Sequence, residues 1–289
     1  MAGWKNGGGR KPRVMRRAAE LAAESPGIKI GLYGDAGSGK TSVACGVDST
    51  TAADEVLVLL AEPHGIASIR VWNPDAAVAM VTEGAELRSW VSMLANAKHG
   101  FDEHGAWLLC SEDEVKVRRV VLDSFTEIQR ILVDEILSGQ GRESLTLQEW
   151  GLLNDRSIDL IRTIRNLPVD VCVIFLAESN DGSEQRYIKP LVKGRKLPNE
   201  CAQFFSAFGY CYRQQEDDDL SYRVLFGGSD NYITKQATGL ERVEEPGFDN
   251  WRSKMMSATP AVAEQDSSND NLPEPKKQQR RRRSVTRSD

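Results

Sequence analysis

The chain reads as an α/β protein with a mostly parallel central sheet and antiparallel edge strands. Three observations predict this. The run Gly34-Asp35-Ala36-Gly37-Ser38-Gly39-Lys40-Thr41 fits the phosphate-loop pattern G-x-x-x-x-G-K-[ST], with an apolar strand before it and a helix start after it. Near-continuous apolar runs recur at 55–61, 120–123 and 169–176, as doubly covered parallel strands require. Helical patterns separate them, and strands alternating with helices imply a sheet covered on both faces.

In chain order, residues 28–33 form the first strand, and Ser42 to Cys45 can open the helix after the loop. The second strand is 55–61. A shorter, weaker strand is expected at 68–72, then a mainly helical stretch over 75–97 with a break near Gly84. Residues 120–123 are the next strong strand. An amphipathic helix over 125–137 and a polar loop over 139–147 follow. A helix over 150–167 carries Leu153, Ile158, Ile161 and Ile164 on its apolar face. Residues 169–176 are a β-rich core strand, and 180–198 a long polar and basic loop. Two strands at 204–213 and 220–226, joined by an acidic turn, are expected as an antiparallel addition at the sheet edge. Beyond Gly239 periodicity fades. The chain thus divides into a basic arm at 1–27 with a possible short helix, a nucleotide-binding domain at 28–256, and a basic tail of disordered composition at 257–289.

The net charge is -5, but its distribution is more informative. Lys5, Arg10, Lys11, Arg13, Arg16 and Arg17 occupy the first seventeen residues without an acid. Seven basic residues and no acid lie between Lys276 and Arg287. An acidic body bracketed by basic arms points to a polyanion, a membrane surface or an acidic partner. Cys45, Cys110, Cys172, Cys201 and Cys211 form no C-x-x-C pair, which fits buried thiols in a reducing compartment. His64, His99 and His104 do not cluster with them as metal ligands. No long apolar run opens the chain, so neither a signal peptide nor a membrane span is expected. A cytoplasmic, magnesium-dependent protein fits these features.

The loop specifies its own chemistry. Gly34, Gly37 and Gly39 let backbone N–H groups close around a phosphate, with Ser38 in the loop and Ser42 at the helix start that adds its own free donors. Lys40 offers an ammonium to the β/γ-phosphates of ATP, and Thr41 a hydroxyl to Mg²⁺. Asp123 ends an apolar strand, where it can hold a metal-bound water beside Thr41 or simply cap the next helix. Glu62 ends the second strand. It lies at the carboxyl end of the sheet, where ligands bind, and can take a proton from water or stand as an exposed loop acid. Glu178 and Ser179 end another core strand and can sense the γ-phosphate or link it to the next loop. Asp35 reads as a turn residue.

Together these residues resemble the RecA-like P-loop ATPases. The closer resemblance is to bacteriophage-encoded ATPases of the RecA-like single-strand annealing and recombination group, phage nucleotide-binding proteins with an AAA domain. It runs from Ile28 to Lys235. The resemblance implies that Glu62 is the catalytic glutamate and that Val121-Leu122-Asp123-Ser124 is the magnesium-organising strand end. It also implies that residues 170–179 carry a polar sensor. RecA has a glutamine there; this sequence offers Glu178 and Ser179. Such ATPases act as homo-oligomeric rings or filaments in the cytoplasm, here that of a bacterial host, with nucleotide between subunits. The resemblance assigns Lys235 as the basic residue supplied to a neighbour's site, with Arg242 as a rival.

DNA-binding members use two loops inside the assembly, which match 139–147 and 180–198. The second contains Arg186, Tyr187, Lys189, Lys193, Arg195 and Lys196, one aromatic among five cations, suited to stacking on a base while the cations meet phosphates of single-stranded DNA. It can also be a plain solvated connection. The tail at 276–283 suits phosphate neutralisation without sequence reading, or recruitment of an acidic protein. An ATP-gated scaffold with partner-binding tails and a small-substrate kinase using the same loop remain alternatives.

Overall fold

The computed structural model describes residues 27–46, 52–110, 115–180, 187–216 and 219–258. The expectations for the N-terminal arm, for Arg186 and for the basic tail beyond Ala258 lie outside these residues.

The apolar runs make the sheet. Strands β1 (Lys29–Gly34), β2 (Val56–Leu60), β3 (Ala77–Met80), β7 (Arg119–Asp123), β8 (Asp170–Asn180) and β10 (Ala207–Glu216) run parallel, in the order β10-β1-β8-β7-β2-β3. Strands β11 (Asp219–Leu225) and β12 (Val243–Glu244) extend the β10 side antiparallel, and β9 (Tyr187–Pro190) folds back on β8. Strands β4 (Lys98–Asp102), β5 (Gly105–Cys110) and β6 (Val115–Val117) form a separate antiparallel sheet. The α/β class with a mostly parallel sheet and antiparallel strands at one edge therefore holds.

Alternation along each strand sends side chains into two cores. Leu57, Leu59, Val120, Leu122, Val171, Val173 and Phe175 enter one, beneath α3 (Gly84–Asn96), α4 (Phe125–Leu137) and α5 (Leu147–Arg165). Ile30, Leu32, Val58, Leu60, Val121 and Ile174 enter the other, beneath α1 (Lys40–Cys45), α2 (Gly65–Trp72) and α7 (Phe248–Ser257). A one-turn helix, α6 (Leu197–Glu200), follows β9. Helix starts are chemically marked: Thr146 and Glu149 form a capping box on α5, as Glu83 and Glu86 do on α3. All five cysteines are buried thiols.

Several expectations are corrected. Residues 68–72 are helical in α2, where only Ile69 is buried and Val71 and Trp72 stand in solvent, so the β-branched residues serve no strand. Residues 75–97 hold β3 before α3; the alanines of β3 favour helix, but pairing from Leu57↔Ala77 to Leu60↔Met80 overrides that preference. The 98–117 sheet had no counterpart among the expected elements. The 180–198 loop contains β9 and the start of α6. The 204–213 strand is not an antiparallel edge: β10 is parallel and lies directly beside β1. Beyond Gly239 the chain still builds β12 and α7, the latter burying Phe248, Asp249 and Trp251.

Candidate active site

The loop between β1 and α1 needs its glycines for different reasons. A Cβ on Gly34 would lie 2.4 Å from the Cys211 carbonyl oxygen, because β10 packs against that strand end. Gly39 caps α1 at φ 84°, a left-handed conformation that side chains disfavour. Lys40 is buried, and its Nζ donates to the carbonyl oxygens of Gly34 at 2.9 Å and Asp35 at 2.7 Å. Burial pushes the ammonium below the usual lysine range, against the pull of Cys211, Asp123, Glu62 and Asp35.

Parallel register brings the acids to the same end of the sheet. Leu60 pairs with Asp123, so Glu62 follows two residues beyond that level. Thr41 Oγ1 donates to Asp123 Oδ2 at 2.7 Å. Ser124 Oγ donates to Glu62 Oε1 at 2.5 Å and also caps α4 through Glu127 N. Asp123 is 4% exposed, and burial pushes its carboxyl up to about 6. Thr41 and Lys40 oppose that shift and the Glu62 charge adds to it. The structure thus gathers Lys40, Thr41, Asp123 and Glu62. Two hard oxygen donors, a buried ammonium, loop N–H groups and a second carboxylate can bind a metal–polyphosphate and deprotonate a nucleophile. No cluster of three His, Cys, Asp or Glu suited to a metal occurs among the described residues.

A cavity of about 860 Å³ opens on the loop. Its far wall includes Trp72, Tyr222, Pro246 and Phe248. The Tyr222 ring packs so closely that a Cβ on Gly39 would lie 3.1 Å from it. The wall is fastened from below: buried Arg119 pairs with Asp249 of α7, donates to the Gly46 carbonyl at 2.8 Å, and lies 4.1 Å from the Phe248 ring centroid. Sequence reasoning missed this wall. Its one signal is the aromatic spacing of Phe248 and Trp251 in a stretch that otherwise reads as polar.

Other expected residues lie elsewhere. β8 does not end at Glu178 and Ser179 but continues into a hairpin with β9, where Glu178 approaches Lys189 at 3.5 Å. At the level of Gly34, β8 presents Leu176, because the sheet register pairs those two residues. Lys235 pairs through its backbone with Phe208, near the amino end of β10, and its Nζ donates to the Phe205 carbonyl at 2.6 Å. Lys235 is therefore not gathered at its own chain's loop. Arg242 lies between β11 and β12. Lys193, Arg195 and Lys196 are exposed, and Tyr187 and Lys189 half-buried. No helix among the described residues is long and apolar enough to cross a membrane.

No curated protein matches the chain. Among solved structures, the chain is similar to a KaiC-like protein from the hyperthermophilic archaeon Pyrococcus horikoshii, at 15% identity over 69% of this chain and 78% of that one, with a TM-score of 0.36. It is also similar to an ATPase from the type III secretion system of pathogenic bacteria, at 12% identity over 64% of this chain and 52% of that one, with a TM-score of 0.39. The family described as AAA domain matches residues 26–239, well over half of the chain and all of the phosphate loop, Glu62 and Asp123. The chain belongs to the AAA domain family and carries a P-loop ATPase domain.

Proposed function

We propose that this protein is a magnesium-dependent ATP hydrolase that assembles into an oligomer and binds single-stranded DNA in phage recombination, annealing or replication. The observation that carries the reading is the convergence of four side chains from three strand ends: Lys40 and Thr41, Asp123 at 2.7 Å from Thr41, and Glu62 bonded through Ser124.

The roles follow from chemistry. Loop N–H groups from Gly37 to Ser42 grip the phosphates, and the α1 N-terminus adds free donors. Lys40 exchanges its loop carbonyls for β/γ-phosphate oxygens. Thr41 and Asp123 would hold Mg²⁺, since they are adjacent hard oxygen donors. The metal, when bound, neutralises charge on the β- and γ-oxygens. Glu62 takes a proton from water as the water oxygen bonds to the γ-phosphorus. The bond to the bridging oxygen breaks, and ADP and phosphate leave. Tyr222 and Trp72 give the base an aromatic surface in a cavity of nucleotide size.

The DNA part rests on exposed Lys193, Arg195 and Lys196 in the same basic stretch of sequence as half-buried Tyr187, and on the cationic tail. The oligomer part rests on the RecA-like resemblance and its assignment of Lys235. Phosphate release by the full chain, with and without an oligothymidylate, tests the reading beside Lys40→Ala. The expected result is turnover in the wild type, stimulation by the oligonucleotide, and severe loss in the variant with an unchanged circular-dichroism spectrum. Anisotropy over a salt series should show steep salt dependence that flattens on truncation after Asn271, at about 0.7 log unit per lost phosphate contact. Wild-type turnover from a folded Lys40→Ala chain overturns the ATPase assignment. Absence of oligothymidylate binding at low salt overturns the DNA assignment.

A further inference from the structure

We infer that Gln129 and Thr126 are positioning residues that clamp the basic segment 191–196 to the helix leaving the magnesium-organising strand, so that single-stranded nucleic acid on that segment changes ATP turnover. The inference rests on the DNA-binding ATPase reading above.

The clamp begins where the site ends. Asp123 closes β7, Ser124 bonds Glu62, and α4 starts at Phe125. Thr126 and Gln129 are three residues apart and so share one face of α4. Both are buried. The Thr126 hydroxyl donates to the Leu191 carbonyl at 2.9 Å and accepts from Leu176 N at 3.0 Å, tying the segment to the level of β8 that pairs with the phosphate loop. Gln129 Oε1 accepts from Lys193 N at 2.6 Å, while its Nε2 donates to the Lys193 carbonyl at 3.3 Å and to Ser157 Oγ at 2.9 Å. One amide thus grips both backbone groups of one residue, which fixes its orientation as well as its position. Ser157, fully buried on α5, holds the amide from behind.

The segment held this way alternates anchors and charges. Val192 and Leu197 are buried, and between them Lys193, Arg195 and Lys196 are exposed. A phosphate backbone drawing on these cations pulls on the Lys193 main chain. That main chain moves only with Gln129 or by breaking the two part-buried hydrogen bonds to it, which would leave the buried Gln129 amide with only Ser157 as partner. α4 carries the displacement to Ser124 and hence to the orientation of Glu62.

The test uses the full chain, an oligothymidylate probe, and Gln129→Leu, which keeps volume but removes both polar ends. The expected variant keeps basal phosphate release near wild type, binds the probe more weakly with the same salt slope, and loses stimulation, its rate ratio with and without probe falling to one. Replacing Lys193, Arg195 and Lys196 by Ala should instead flatten the salt slope. A folded Gln129→Leu chain with a lowered melting temperature but wild-type stimulation makes Gln129 merely structural and overturns the inference. Should that variant fail to fold, Thr126→Val loses only a hydroxyl, and the same rate ratio decides. A wild type that is neither bound nor stimulated overturns the DNA reading and the inference with it. A stimulated wild type whose stimulation is undiminished in the folded variant overturns the inference alone.

Discussion

Thr41 Oγ1 donates a 2.7 Å hydrogen bond to Asp123 Oδ2 across 82 residues of sequence. That contact joins the phosphate loop to the end of β7 and sits where burial works against charge. Burial pushes the Asp123 carboxyl up to about 6, because its surroundings withhold water from the ionised form.

The first prediction follows from the sign of that shift. Between the unfolded carboxyl range and about pH 6 the native state binds more protons than the unfolded state, so this group's contribution to stability falls as pH rises. The ionised carboxylate carries a folding penalty that is fully present above about pH 6 and relieved below it. Asp123→Asn should therefore raise the unfolding free energy at about pH 8 by no more than about 3 kcal/mol, and the melting temperature with it, with the gain fading at acid pH. It should also weaken the magnesium dependence of nucleotide binding. Calorimetry across a pH series and magnesium titrations check both halves. A variant that melts below wild type at alkaline pH contradicts the burial argument.

Glu62 offers a cleaner separation of binding from chemistry. Glu62→Gln keeps the carbonyl acceptor for Ser124 and the side-chain shape but loses the base. ATP affinity should hold, while single-turnover hydrolysis slows by roughly 10²–10⁴. An unchanged single-turnover rate at saturating ATP would leave Glu62 a structural acceptor for Ser124.

The two acids and the loop were legible in the sequence because each ends or follows an apolar run, and strand ends are marked locally. Gly34 to Thr41 is contiguous, and the Val120–Asp123 run announces its own end. What stayed hidden depends on partners distant in the chain. β3 is alanine-rich and becomes a strand only beside β2. Tyr222 looks like any strand aromatic until β11 lies against Gly39. Gln129 reads as one polar residue on an amphipathic helix; its burial is created by Ser157 and Lys193. Glu178 looked like a strand end because hydrophobicity stops at Ala177, yet backbone pairing with β9 carries the strand on through polar residues.

Arg119 and Asp249 make a prediction about stability. Both are fully buried, one on β7 and one on α7, and the guanidinium also holds the Gly46 carbonyl at the end of α1. Asp249→Ala removes the carboxylate and leaves a desolvated cation, which should cost about 3–5 kcal/mol in urea denaturation. Replacing both by leucine removes that lone cation, while buried Asp170 loses the Arg119 charge and keeps Arg252 and Lys29, so the double change should cost no more than the single one. Nucleotide affinity should fall in Asp249→Ala, because α7 supplies Phe248 to the cavity wall. A single variant as stable as wild type contradicts the pairing.

Lys235 carries the last prediction. Within its own chain the ammonium rests 2.6 Å from the Phe205 carbonyl, toward the amino end of β10 rather than at the phosphate loop. A role in hydrolysis therefore requires a neighbouring subunit whose loop lies near that end, and release of the Phe205 contact on assembly. Lys235→Ala should fold normally, because the bond lost is partly solvated, and should still bind ATP, yet turn it over slowly. Mixing Lys235→Ala with Lys40→Ala subunits separates the two half-sites. At one interface the Lys40→Ala subunit donates an intact Lys235 to an intact loop, so turnover should exceed that of either variant alone. The measurement is phosphate release against mixing ratio, with mixed assembly shown by cross-linking of differently labelled subunits. Proven mixed assemblies that stay as slow as their parents exclude a trans role for Lys235.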